Sequence, residues 1–117
     1  MPTELLKVSS HQSVNVVELF LPDDLDSVEF DRLNEGLSTV FTQQPHARWI
    51  LDLAEVEYMG SAALGLMVNI RHRVKTMEGR LALCHLSTRL HQIFKACCLE
   101  RLFIITRTRE DALKAMR

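Results

Sequence analysis

One serine, Ser61, lies where an apolar segment gives way to a segment with helical spacing. The apolar residues 49–53 are typical of a buried strand, and apolar residues then recur at three- and four-residue intervals over 64–77. Serine is a preferred helix N-cap, and Gly60 before it would let the chain turn sharply. A helix N-terminus also attracts anions, so a phosphoryl group on Ser61 would meet a favourable field. The spacing alone favours the cap and leaves modification open.

Other residue types that carry chemistry do not form a recognisable catalytic or metal-binding pattern. A serine-hydrolase elbow needs glycines two positions either side of the serine, and Met59 and Ala63 occupy those places. A phosphate-binding loop needs a lysine after its second glycine, and Leu66 follows Gly65. Neither the scattered histidines nor the cysteines have metal-ligand spacing. We therefore predict no catalytic residue, no metal, no cofactor and no enzymatic activity.

Length and composition predict one domain, residues 1–117. The chain has 47% hydrophobic and 25% charged residues, which is ordinary for a globular protein. Its net charge of −1 argues against a nucleic-acid partner, because binding to phosphates needs a basic excess. No apolar run approaches the roughly 20 residues of a membrane span, and the N-terminus lacks a signal-peptide pattern. We expect a cytoplasmic protein without membrane insertion.

Strand and helix patterns alternate after residue 22, which predicts an α/β fold with a largely parallel sheet. Strands are predicted at 5–8, 14–21, 47–53, 80–86 and 102–105, with a hairpin turn at 11–13. Helices are predicted at about 27–43, 61–78 and 88–97, and from 109 onward. The prediction is therefore a mixed sheet of four or five strands, about four helices and an N-terminal β-hairpin.

Polar residues at the predicted boundaries indicate where the helices begin and end. Asp26 or Ser27 caps the first helix, Ser87 or Thr88 the third, and Thr108 the last. Gly79 suits the C′ position that ends the second helix. Asp52 is interpreted as a hydrogen-bonding residue at a strand end rather than a catalytic acid. Basic residues over 71–75 are interpreted as a solvated helix face.

Four segments, in matching order and spacing, resemble the STAS family, the domain of bacterial anti-sigma factor antagonists. They are 21–26, similar to S-G-x-L-D; 50–59, similar to V-L-D-L…V…M-D; 59–65, similar to M-D-S-S-G-L-G; and 97–103, similar to T-G-L-x-x-x-F. The resemblance covers about residues 5–114 and implies the STAS fold. Departures from the motifs include Gly60, Ala62 and Ala63, and Cys98 replaces a glycine. If Cys98 is left-handed, it costs on the order of 1 kcal/mol.

The resemblance implies a regulatory binding module. By position, Ser61 corresponds to the serine that a partner anti-sigma factor with serine kinase activity phosphorylates and a phosphatase resets. The implied partner-binding residues are Asp24, Asp26, Met59, Gly60, Ser61, Ala62 and Leu64. A non-switching scaffold or complex subunit is the alternative, and a nucleotide or small-molecule binder is a third class. A homodimer is left open.

Overall fold

A computed structural model describes residues 5–22 and 25–116, and five strands and four helices alternate within them. The strands are β1 (Leu6–His11), β2 (Val14–Leu19), β3 (Arg48–Asp52), β4 (Arg80–Cys84) and β5 (Ile104–Ile105). The helices are α1 (Ser27–Thr42), α2 (Ser61–Thr76), α3 (Thr88–Ala96) and α4 (Arg109–Ala115), with a 3₁₀ turn at Leu99–Arg101. No helix among these residues is both long and apolar enough to cross a bilayer.

The strands form one mixed sheet in the order β1-β2-β3-β4-β5. The pair β1 and β2 is antiparallel, and the other neighbours are parallel. Gln12 and Ser13 make the hairpin turn with φ of 52° and 68°, the left-handed geometry that matches strand twist. The predicted fold class and hairpin are confirmed, although β1 runs to His11 and β2 stops at Leu19.

Helices cover both faces of the sheet, and β3 lies at its centre. On one face α1, α2 and α3 pack over the side chains that include Leu51, and Phe41 contacts Trp49 with ring centroids 4.6 Å apart. On the other face α4 packs over a smaller cluster that includes Ile50. This double cover explains the near-continuous apolar run of β3.

Three of the predicted helix caps form as the residue types require. The Asp26 carboxylate accepts a 2.7 Å hydrogen bond from the Glu29 amide, and the Glu29 side chain accepts one from the Asp26 amide, which completes a capping box. Ser87 caps α3 and Thr108 caps α4, each through its hydroxyl. These caps fix the helix starts at the edge of the sheet where the parallel strands end.

The start of α2 differs from the prediction by one residue. Gly60, not Ser61, is the N-cap, because its backbone is extended and its carbonyl accepts the first helical hydrogen bond, from the Leu64 amide at 3.0 Å. Ser61 is the first helical residue, so the predicted cap role is wrong. Gly60 has φ of −81°, which any residue adopts, so the predicted need for a glycine turn is wrong too.

The end of α2 also differs from the prediction. Glu78, not Gly79, is the left-handed residue, with φ of 56°. The amides of Glu78 and Gly79 donate to the carbonyls of Lys75 and Val74, which is a Schellman motif. Gly79 is required for a different reason, because a Cβ there would lie 2.5 Å from the Ala47 carbonyl oxygen.

In the segment between α3 and β5, Cys98 adopts the left-handed conformation that the sequence analysis considered. The last strand is shorter than predicted. Cys98 is left-handed, with φ of 59°, at the point where α3 gives way to the 3₁₀ turn. Leu102, where the strand was predicted to begin, instead caps the C-terminal end of that turn. Only Ile104 and Ile105 remain to pair with β4.

We predict opposite effects for alanine at two glycines of the α2 region. Gly79→Ala should lower the free energy of unfolding by about 1–3 kcal/mol, because backbone must move away from the new methyl group. Gly65→Ala is the matched control and should raise it by up to about 1 kcal/mol, because Gly65 lies inside α2 with open space at its β position. Urea unfolding of both variants measures this, and equal effects would contradict the close approach at Gly79.

Candidate functional site

The loop that joins β3 to α2 is anchored in the hydrophobic core. Val56 and Met59 are 1% and 2% exposed and belong to the large apolar cluster. The Leu53 amide donates to the Cys84 carbonyl of the neighbouring strand, and the Val56 amide donates back to Leu53, each at 3.0 Å. The loop is therefore fixed, and it delivers Ser61 to a defined place on the surface.

The first turn of α2 is open to solvent. Ser61 and Ala62 are exposed, and the Gly60 N-cap provides no side chain to the free amides of this turn. An α-helix turns about 100° per residue, so Ile70, which is buried, lies on the opposite side of α2 from Ser61. Ser61 therefore presents its hydroxyl to solvent beside unpaired backbone amides, a setting that favours a negative group.

A cleft of about 370 Å³ lies between the starts of α1 and α2, next to Ser61. Gly60, Ala62 and Ala63 line its α2 side, and small side chains there leave it open. The remaining wall and floor combine apolar side chains with one hydroxyl and two carboxylates: Leu21, Pro22, Leu25, Phe30, Tyr58, Met59, Ser27, Asp26 and Asp31. We call this the acidic cleft. The cleft therefore offers an apolar interior beside two carboxylates.

The structure brings most of the predicted partner-binding residues to this cleft. Asp26 is exposed on its rim while capping α1, and Met59 contributes the floor from a buried position. Leu64 is half-buried and does not line the cleft. Asp24 lies outside the described residues. Phe30 also lines the cleft, and the sequence analysis did not place it at this surface.

Tyr58 connects this surface to the start of α3. Its ring lies 3.8 Å from the position that a Cβ of Gly60 would occupy, and the Arg89 guanidinium stacks 5.0 Å from the ring centroid. This cation–π contact holds Tyr58 at the edge of the surface, where its side chain is exposed enough to meet a partner.

A second polar cluster lies under α4, at the ends of β2, β3 and β4. Arg109 donates two hydrogen bonds to the buried Asp52 carboxylate, at 2.8 and 3.2 Å, and one to Glu18. Asp52 also meets the His85 Nδ1 at 3.0 Å and the Ala54 amide. The prediction for Asp52 as a hydrogen-bonding residue is confirmed, but sequence reasoning missed Arg109, which lies 57 residues away.

These contacts decide the ionisation of the cluster. Burial alone would raise the pKa of Asp52, but hydrogen bonds from Arg109, the Ala54 amide and His85 outweigh it and hold that pKa below its usual value. Burial, with a smaller contribution from the Asp52 charge, raises the pKa of the Cys84 thiol to about 12. The hydrogen bond to Asp52 raises the pKa of Arg109.

Asp52, Cys84 and His85 bring one potential metal ligand each within 4.8 Å of one another. The Asp52 oxygens are already engaged by Arg109, His85 and a backbone amide, and the Cys84 thiol is protonated at neutral pH. A metal would have to displace the arginine contact and the thiol proton. The arrangement is therefore better explained as an internal ion-pair cluster that attaches α4 to the sheet.

Comparison with known proteins assigns the family. The STAS domain model matches residues 7–112, so this chain belongs to the STAS domain family. BtrV of Bordetella bronchiseptica, a candidate anti-sigma factor antagonist, is 27% identical over 70 residues, which are 60% of this chain and 60% of that protein.

Solved structures show the same fold. A STAS domain anti-sigma-factor antagonist from Planctomyces limnophilus has a TM-score of 0.82 and 23% identity, over 95% of this chain and 97% of that chain. SpoIIAA, an anti-sigma factor antagonist, has a TM-score of 0.72 and 20% identity in its unphosphorylated form, over 94% of each chain. Its phosphorylated form, from Bacillus, has a TM-score of 0.67 and 21% identity, over 96% of this chain and 99% of that chain.

We predict that Asp52→Asn destabilises the protein in a pH-dependent way. A carboxylate whose folded pKa is depressed stabilises above its unfolded pKa of about 3.9, and this stabilisation is lost as the pH falls through the folded value. At pH 7 the variant should lose about 1–3 kcal/mol of unfolding free energy, because Arg109 loses its charged acceptor. The difference from wild type should shrink below about pH 4.

Urea unfolding between pH 3 and pH 7 measures this difference. Asp31→Asn, which removes an exposed carboxylate from α1, is the matched control and should change little. A difference between Asp52→Asn and wild type that stays constant across this pH range would contradict the assignment of Asp52 as the charged centre of the cluster.

Proposed function

We propose that this protein is an anti-sigma factor antagonist, a regulatory module that binds an anti-sigma factor with serine kinase activity through the Ser61 surface. The observation that carries the proposal is the exposed Ser61 hydroxyl at the start of α2, beside the acidic cleft. Membership of the STAS family and the resemblance to anti-sigma factor antagonists support it. The chain acts by binding and is not itself a catalyst.

Phosphorylation of Ser61 is the proposed switch. A phosphoryl group adds roughly −1.5 to −2 charges, and the amides at the start of α2 would accept it without a change of fold. A partner packed against Gly60, Ala62 and the cleft would have to bury that charge unpaired. Only a few kcal/mol are needed to reverse occupancy, so exclusion at the interface suffices. A phosphatase would restore the binding form.

The existence of phosphorylated SpoIIAA structures fits this mechanism, because the STAS fold of that protein accommodates the modification. In the present chain the Ser61 surface is supported by a loop anchored through Val56 and Met59. A modification at Ser61 would therefore change the charge of the surface while its shape stays fixed.

A constitutive scaffold role is the second candidate, and Gly60 favours it. In the family motif an aspartate precedes the serine, and here that carboxylate is missing. The fold does not impose the glycine, because its φ is ordinary and the nearest atoms to an added Cβ are those of Tyr58, at 3.8 Å. An aspartate would therefore fit at position 60. Because this chain has glycine there, it lacks a carboxylate that a kinase could use to position the Ser61 hydroxyl.

We predict that Ser61→Asp weakens binding to the anti-sigma kinase of the same organism by about 30-fold or more, since a buried unpaired charge costs 2 kcal/mol or more. Ser61→Ala should bind within about threefold of wild type. Asn69→Asp is the matched control, because it adds the same charge to an exposed position two turns further along α2. Calorimetric titration measures all four proteins, and equal binding by Ser61→Asp and Asn69→Asp would eliminate the switch.

We also predict that Gly60→Asp increases the rate of Ser61 phosphorylation by that kinase by about tenfold or more, which corresponds to 1.4 kcal/mol. Its folding stability should change by only a few tenths of a kcal/mol, because glycine and aspartate are both accepted at an N-cap. Phosphosite mapping over time measures the rate. Ser61 that stays unmodified in wild type and in Gly60→Asp would support the scaffold role instead.

A further inference from the structure

The far end of α2 carries a cleft with the opposite charge. It has a volume of about 180 Å³ and lies between the last turns of α2, the start of β4 and the β5 edge of the sheet. Arg71, Lys75 and Arg80 line it, and no acidic residue does. Leu102 and Ile104 are among its apolar lining residues and are 37% and 40% exposed. We call this the basic cleft.

The charges of the basic cleft are not used inside the chain. Among the described residues, none of its three cations makes an ion pair. Arg71 donates its Nε hydrogen to the Leu102 carbonyl at 2.6 Å, which fixes the side chain and leaves its terminal amino groups available. A solvated helix face accounts for Lys75, but it does not account for exposed apolar residues between unpaired cations.

The acidic end of the molecule is the counterpart. The acidic cleft adjoins two further clefts, and all three share Leu21 and Pro22. Together they are lined by five carboxylates and no cation: Asp26, Glu29, Asp31, Glu55 and Glu57. Within the part of the chain that the structure describes, none of these carboxylates forms an ion pair. Apolar residues such as Phe30 accompany them, as Ile104 accompanies the cations.

One chain cannot bring these two ends together. Residues 61–76 span about 24 Å of helix at 1.5 Å per residue, and the loop to Ser61 is anchored in the core. The acidic residues lie where β2 and β3 end, and the basic cleft includes Arg80, where β4 begins. Complementary surfaces at opposite edges of one sheet can meet only between molecules.

We propose that a second copy of this chain docks its basic cleft onto the acidic cleft of the first, in a head-to-tail arrangement. Such a contact uses two different surfaces, so each added copy leaves one free surface of each kind and chains can grow. Lys75 and Arg80 would face Glu55 and Glu57, while exposed apolar side chains pack between them. Because the charges lie at the rim of the contact, we expect association to weaken with salt.

Two end-blocked variants test the arrangement with the full chain. Lys75→Glu/Arg80→Glu removes the basic surface, and Glu55→Lys/Glu57→Lys removes the acidic surface. Sedimentation velocity over about 10 µM to about 1 mM protein, at about 0.02 M and about 0.5 M salt, gives the average mass. Wild type should rise above the monomer mass at low salt, and each blocked variant should remain monomeric.

The mixture of the two variants is the decisive sample. One variant keeps the native acidic surface and the other keeps the native basic surface, so an equimolar mixture should form dimers, doubling the mass, and nothing larger. Lys7→Glu/Lys114→Glu is the control for the basic-surface variant, with the same charge change as Lys75→Glu/Arg80→Glu at exposed positions outside both clefts, and should associate like wild type. Wild type that stays monomeric throughout, or a mixture that stays monomeric, would overturn the proposal. So would loss of association in the control.

Discussion

A buried carboxylate at the end of the central strand is the constraint on which the functional edge of the molecule depends. Asp52 is 5% exposed, so its charge has to be paired, and it is paired with groups from three different parts of the chain. Arg109 connects it to α4, His85 to the end of β4, and the Ala54 amide to the loop that leads to Ser61. One ion-pair cluster thus fixes how α4, the sheet and the loop that leads to Ser61 meet.

The Ser61 surface combines a loop anchored in the core with an exposed start of α2. This combination suits the proposed switch, in which a phosphoryl group on Ser61 excludes a partner. Because Val56 and Met59 lie in the core, a charge added at Ser61 changes the potential of the surface rather than the path of the loop. The small residues Gly60 and Ala62 allow close approach of a partner, so a phosphoryl group there is costly to cover. Under the proposed switch, the fold would therefore remain constant while partner binding is reversed.

Sequence reasoning reached the elements and caps because the deciding interactions are local. Asp26 caps α1 through Glu29, three residues away, and Ser87 and Thr108 act over the same distance. Several of the errors come from tertiary causes. Gly79 is dictated by the Ala47 carbonyl of a distant segment, whereas the left-handed position at the end of α2 is Glu78. In the candidate site, the sequence predicted the surface around Ser61. It did not predict Phe30 in the cleft, because that position depends on how α1 packs against α2.

Opposite charges lie at the two ends of α2, and the acidic cleft at one end has two proposed binding partners that exclude each other. An anti-sigma partner and a second copy of the chain would both cover the acidic cleft, so self-association would compete with partner binding. Phosphorylation at Ser61 would act on them in opposite directions. It adds negative charge to the acidic end, which strengthens attraction to Lys75 and Arg80 of another copy, while it leaves an anti-sigma partner with an unpaired charge to bury. A single phosphoryl group would then both release the partner and favour assembly of the released chains.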